Sequence, residues 1–133
     1  MVKVGTMMEQ AKRFFEKDYF AKACGIEIDA VAKGWASCSF EIKEKHLNAG
    51  KTVQGGAIFT LADFTFAVAA NSVGKLTVSL ENQITYMHRA EGKRLIAVAK
   101  QVSETKSLCF YEVIIADELG HKVAKMSVTG YMK

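Results

Sequence analysis

The chain has 133 residues, half of them hydrophobic and about a quarter charged, with a formal net charge of +4 at pH 7. That is the balance of one soluble globular domain, expected over residues 1–133 and large enough to bury roughly two-thirds of its unfolded surface. Basic residues are scattered, with small groupings at Lys43/Lys45/Lys51 and Arg89/Lys93/Arg94 and no aromatic-basic motif, so a nucleic-acid partner is not expected.

No apolar run is long and charge-free enough to cross a bilayer. The first residues, MVKVGTMMEQAKRFFEK, turn charged too soon for a secretory signal, and a cytoplasmic setting is the simplest expectation. Cys24, Cys38 and Cys109 are odd in number, far apart and without CxxC spacing, which reads as free structural thiols. His46, His88 and His121 are equally scattered, so no metal site is expected.

Residues 6–20 place Met7, Ala11, Phe14, Phe15 and Tyr19 at helical spacing with charges between them, which predicts one short amphipathic helix. From Gly25 the period changes to two. Ile26–Asp29 and Trp35–Ile42 read as strands, joined by a Lys33-Gly34 hairpin turn.

Residues 46–74, HLNAGKTVQGGAIFTLADFTFAVAANSVG, run from a polar loop through Gly55-Gly56 into about four turns of mostly apolar helix. At 100° per residue, Gly56, Thr60, Asp63, Ala67, Asn71 and Gly74 share one narrow side, with Phe64 at its edge. Ile58, Leu61, Ala62, Thr65 and Ala69 form the opposite side, suited to a sheet. Asp63 is the single carboxylate in this run, and an ionised carboxylate is expensive to bury unless it is paired or used.

Four more strand-like segments follow, at Leu76–Tyr86, Arg94–Val102, Leu108–Ala116 and His121–Met132. In the first, Val78, Leu80, Asn82, Ile84 and Tyr86 alternate with Thr77, Ser79, Glu81, Gln83 and Thr85. Turns are expected at Glu91-Gly92 and at Glu118-Leu119-Gly120. The order predicts an α+β domain, a six-stranded antiparallel sheet wrapped around one long central helix. Without proline, exposed strand edges are a liability that pairing between subunits would remove.

The stretch HLNAGKTVQGGAIFTLADFTFAVAANS resembles the signature of hotdog-fold acyl-CoA thioesterases of the phenylacetate-degradation (PaaI-like) group, roughly N-x-x-G-x-x-H-G-G-x-x-x-x-L-x-D. Asn48, Gly55, Gly56, Leu61 and Asp63 stand in register with it, and CGIEI and VSLENQITYMHRA also fit. The resemblance implies a hotdog dimer, or a dimer of dimers, with active sites at the subunit interface and no cofactor beyond the CoA of the substrate. It implies Asp63 as nucleophile or general base, Asn48 as an orienting residue and the Gly55 amide as the group polarising the thioester carbonyl. Gln54, Gly56, Thr60, Phe64 and Ser79 are then expected to line the substrate site. By family geometry, Asn48 and Gly55 come from one subunit and Asp63 and Ser79 from the other.

The chemistry suits the residue types. The first amides of a helix have no internal acceptor, and glycines there leave them open to a developing oxyanion. Two departures stand out. Gln54 replaces the histidine before Gly-Gly, so an acid role there is lost and a positioning role survives. Tyr86-Met87-His88-Arg89 replaces aromatic-x-Arg-Pro. The function expected is hydrolysis of an acyl- or aryl-CoA thioester; the alternative is a non-catalytic acyl-CoA-binding hotdog module. A hotdog dehydratase ranks below both, because it needs the histidine that Gln54 replaces.

Overall fold

The computed structural model describes residues 5–133, so Met1–Val4 of the expected domain lie outside the described residues. The elements are α1 (Met7–Phe14), α2 (Tyr19–Ala23), β1 (Glu27–Ala32), β2 (Trp35–Glu41), α3 (Gly55–Asn71), β3 (Thr77–Tyr86), β4 (Arg94–Glu104), β5 (Leu108–Asp117) and β6 (Lys122–Met132), with a short 3-10 turn at Glu44–His46.

The N-terminal segment is two helices, not the single one expected over 6–20. Thr6 and Glu9 form a capping box that starts α1. The aromatics keep helical spacing past Phe15, but the Asp18 side chain accepts the Ala21 amide and so caps a new helix, α2. The Lys33-Gly34 hairpin is present, with Ala32 paired to Trp35 and Gly34 at φ +68.

All six strands form one antiparallel sheet in the order β1-β2-β4-β5-β6-β3. After β3 the chain therefore crosses from one edge to the middle, and Glu91-Gly92 belongs to that crossover and not to a hairpin. Carboxylates from the β5–β6 turn hold it. Asp117 Oδ2 accepts the Glu91 and Gly92 amides, and Glu118 accepts those of Lys93 and Arg94.

One face of the sheet wraps α3. Small residues at Ala36, Ala97 and Ala99 let the helix approach, and Leu61, Ala62, Thr65 and Ala69 are wholly buried against them. Each large apolar side chain so buried contributes about 1.5–3 kcal/mol. The helix ends at Asn71, short of the 74 expected, because Ser72 donates its hydroxyl back to the Ala69 carbonyl and Gly74 turns the chain at φ +91.

Helix α3 lies along the edge strand β3, antiparallel to it, and is tied to it at regular intervals. The Tyr86 hydroxyl donates to the Gly55 carbonyl at 3.0 Å. Asn82 reaches Asp63. Asn71 Oδ1 accepts the Thr77 amide at 3.0 Å, and its Nδ2 donates to the Thr77 carbonyl at 3.2 Å. Gly55, Asp63 and Asn71 are eight residues apart, ~12 Å per interval along a helix. Four strand residues cover ~13 Å, which carries Tyr86 to Asn82.

The next interval holds five residues and needs one removed. A bulge at Leu80 removes it, since Ser79 pairs with Gly130 and Glu81 with Thr129. The even alternation expected for this strand is therefore broken. Thr77 and Ser79 now stand on the helix-facing side with Asn82, Ile84 and Tyr86, opposite the buried Met132, Gly130, Val128, Met126 and Ala124. Val78 and Leu80 are left exposed, at 42% and 61%.

Candidate active site

The polar loop before α3 is fixed by one buried histidine. His46 is 4% exposed and stacks on Phe40 with ring centroids 4.1 Å apart. The Lys43 amide donates to Nδ1 at 2.9 Å, so the ring proton sits on Nε2, which donates to the Cys24 carbonyl at 2.7 Å. The Gln54 amide then donates to the His46 carbonyl, and Leu47 bridges to Val53. Within this closed loop Asn48 Oδ1 accepts the amides of Gly50 and Thr52 and the Thr52 hydroxyl. Its oxygen is thus spent on shaping the loop, leaving the exposed Nδ2 amide as the group free to meet a ligand.

Gln54 is the N-cap of α3 but makes no side-chain cap, and its carbonyl accepts the amides of Ala57 and Ile58. The amides of Gly55 and Gly56 come before that ladder and have no helical acceptor. The Tyr86 ring covers the other flank of Gly55: a Cβ there would sit 3.2 Å from its Cζ. A cleft of about 440 Å³ opens beside this helix start, lined by Thr52, Gly55, Ile58, Tyr86, His88 and Arg89 among others. Arg89 at its rim is paired with Glu91 at 3.0 Å.

Asp63 is half-buried on the side of α3 facing β3. Burial pushes its carboxyl above the usual range, the charge of Asp18 adds to this, and a hydrogen bond from the Asn82 side chain works against both. A carboxylate held between opposing influences in this way can be poised to take a proton. Thr60, one turn before it, donates its hydroxyl to the Gly56 carbonyl at 2.8 Å. Phe64 is 7% exposed, in edge contact with Phe15, and borders a small hollow with Asp18 and Ala21. Ser79 is exposed and shares the helix-facing side of β3 with Asn82 only because of the Leu80 bulge.

Within one chain the expected residues fall into separate groups. Asn48, Gln54, Gly55 and Gly56 gather at the start of α3; Asp63 lies two turns along, with Ser79 on the neighbouring strand. About 12 Å separates Gly55 from Asp63 on the helix, too far to act on one carbonyl. Asn82 was not among the expected site residues; its signal was a lone amide on an otherwise apolar side of the β3 pattern. Asp117 is a second buried carboxylate, but its oxygens are filled by four backbone amides and His121 Nδ1. It is structural. Among the described residues no group of three or more His, Cys, Asp and Glu side chains is placed to hold a metal ion. No helix there is long and apolar enough to cross a membrane.

Residues 50–124 match the model of the thioesterase superfamily. The chain is 31% identical over 117 residues to acyl-coenzyme A thioesterase PaaI of Escherichia coli, covering 87% of this chain and 84% of that one. The solved structure of E. coli PaaI superposes with a TM-score of 0.88 at 26% identity, over 96% of both chains. A Streptococcus mutans protein solved bound to acetyl-CoA superposes with a TM-score of 0.77 at 25% identity, over 81% of this chain and 88% of that one.

Proposed function

This chain belongs to the thioesterase superfamily and has its hotdog fold, and from that premise we propose that it hydrolyses an acyl- or aryl-CoA thioester to a carboxylate and free CoA, at a site shared between two copies. The observation that carries the reading is the placement of Gly55 and Asp63 on the β3-facing side of α3, two turns apart. A second copy related by a two-fold axis near the middle of that interval would set its own Asp63 opposite the Gly55 amide.

The exposed edge supports such a pairing. β3 ends the sheet, carries one charged residue, Glu81, and leaves Val78 and Leu80 exposed. An edge of this kind is a template for another strand. The bound molecule would lay its carbonyl oxygen on the Gly55 amide, with the Gln54 side chain and the Asn48 amide nitrogen at hand. Such a donor is typically worth about 3 kcal/mol of barrier.

Asp63 of the opposing copy either takes a proton from a water attacking the carbonyl carbon, or attacks that carbon itself and is released when water hydrolyses the resulting acyl anhydride. The tetrahedral oxyanion collapses, the carbon–sulfur bond breaks, and CoA leaves as the thiol, its proton coming from the water consumed. The relatives' coenzyme A thioesterase activity and the acetyl-CoA-bound neighbour support CoA as the thiol.

The test is thiol release across short-chain, long-chain and aryl acyl-CoAs, with sedimentation to read the assembly. Wild type should turn over at least one class as a dimer or dimer of dimers. Asp63→Asn should lose about 10²–10⁴-fold in kcat with fold and assembly intact. Normal turnover by that variant would sink the assignment.

A further inference from the structure

Asn82 has no part in the expected chemistry, yet it is the best-placed group beside the acid. On the helix-facing side of β3 it sits between the bulge and Ile84, across from the buried Val128. The ties of Tyr86 to Gly55 and of Thr77 to Asn71 bracket it beside Asp63, whose raised pKa its amide opposes. Asn82 Oδ1 is buried and accepts no hydrogen bond, and no other buried side-chain nitrogen or oxygen of the described residues is left so. Turning the amide over would set two acceptors face to face, so Asp63 fixes which atom is which. An acceptor stranded in this way weakens the fold, and its position next to an acid points to a missing donor.

Water is the donor that fits both groups. A water against Asp63 has two hydrogens: one goes to the carboxylate, and the second needs an acceptor on the same side. We propose that Asn82 is a positioning residue for hydrolysis, its Nδ2 aiming the Asp63 carboxylate and its Oδ1 accepting the second O–H of the attacking water. Both hydrogens held, a lone pair of that water is turned to the carbonyl carbon. Asp63 then works as a general base: it takes one proton as the oxygen–carbon bond forms and returns it to the CoA sulfur as the carbon–sulfur bond breaks. This inference rests on the thioesterase reading above.

The charged groups facing Asp63 are few: Asp18 from the start of α2 is the one whose charge bears on it, and Asn82 from β3 opposes that effect. Replacing Asn82 therefore has a signature in pH as well as in rate. In Asn82→Leu, an apolar near-isostere, kcat should fall about tenfold to a hundredfold with KM within about twofold. The acid limb of the kcat profile should move to higher pH as Asp63 loses a donor, and the melting temperature should not fall. Asn82→Ser, which keeps a hydroxyl, should recover part of the rate.

Single turnover in ¹⁸O water supplies an independent reading. Label in the carboxylic acid released at the first turnover supports the base role; unlabelled acid, its oxygen drawn from Asp63, overturns it. Wild-type kcat and an unmoved limb in Asn82→Leu overturn the proposal while leaving the thioesterase reading standing. A raised KM with kcat intact does the same, assigning Oδ1 to an amide of the substrate's pantetheine arm. Should wild type release thiol from no acyl-CoA, the thioesterase reading fails first and this one with it.

Discussion

Replacing Asn71 with alanine tests whether α3 is clamped to the edge strand. Asn71 Nδ2 donates to the Ala67 carbonyl at 2.8 Å and the Thr77 carbonyl at 3.2 Å, while Oδ1 accepts the Thr77 amide at 3.0 Å. Thr77 is 4% exposed, so its amide would lose a partner that water replaces poorly. Stranding one such group costs about 1–3 kcal/mol. Alanine recovers up to about 0.7 kcal/mol through its better helix propensity. The net loss is about 1–2 kcal/mol. At ~2.1 cal/mol/K per residue, a chain of this length has an unfolding entropy near 0.28 kcal/mol/K, so Tm should drop by roughly 4–7 °C.

The assay is thermal unfolding by circular dichroism, with a urea titration beside it. Thr60→Ala is the control, because that hydroxyl only back-bonds the Gly56 carbonyl within the helix. It should stay within about 0.5 kcal/mol of wild type. An Asn71→Ala melting point within a degree of wild type would refute the reasoning. Helix and edge strand would then be held in step by something other than this amide.

Asp63→Asn should gain stability where it loses activity. The folded chain raises the Asp63 pKa, by burial first and the charge of Asp18 next, so ionised Asp63 weighs against the fold. That penalty is fully present above the folded-state pKa and vanishes below the ordinary value of about 3.9. The variant should therefore melt higher than wild type at pH 7 to 8, and the gap should close in acid. Wild-type turnover should correspondingly fail on its acid side at a pH above the usual carboxylate range.

Asp117 behaves in the opposite sense. Its burial pushes the pKa up, but the Glu91 amide, the His121 ring and the amides of His121 and Gly92 outweigh it and hold the carboxyl well below the usual range. Its contribution is complete above about pH 4 and is lost as pH falls towards the lowered value. Asp117→Asn should melt lower than wild type at neutral pH, with the difference shrinking in acid.

The face of α3 could be read from the sequence because a 3.6-residue period records its own burial: Ile58, Leu61, Ala62, Thr65 and Ala69 are all inside. The hairpin at Lys33-Gly34 and the starts of the later strands were legible for the same local reasons. Other features depend on partners distant in sequence. The bulge at Leu80 exists because β6 and the pitch of α3 must both be satisfied, and alternation within β3 cannot report either. The break at Lys17 was hidden by aromatics that keep their spacing through it, although Asp18 carried the capping signal. The strand order, with β3 beside β6, followed from no local pattern. In the site, Asp63 and Gly55 stood out as an acid in an apolar run and a glycine at a helix start. Asn48 was legible as a polar loop residue, but only the structure shows its oxygen turned inward to the Thr52 and Gly50 amides.

The His46 ring meets two main-chain groups, the Lys43 amide and the distant Cys24 carbonyl, while its own backbone carbonyl takes the Gln54 amide. The Lys43 and Cys24 side chains take no part in the two ring contacts. Those contacts therefore tolerate drift at their anchors and depend on a single imidazole. A library randomised over positions 24, 43 and 46 should return many residues at 43 and 24 and almost none but histidine at 46.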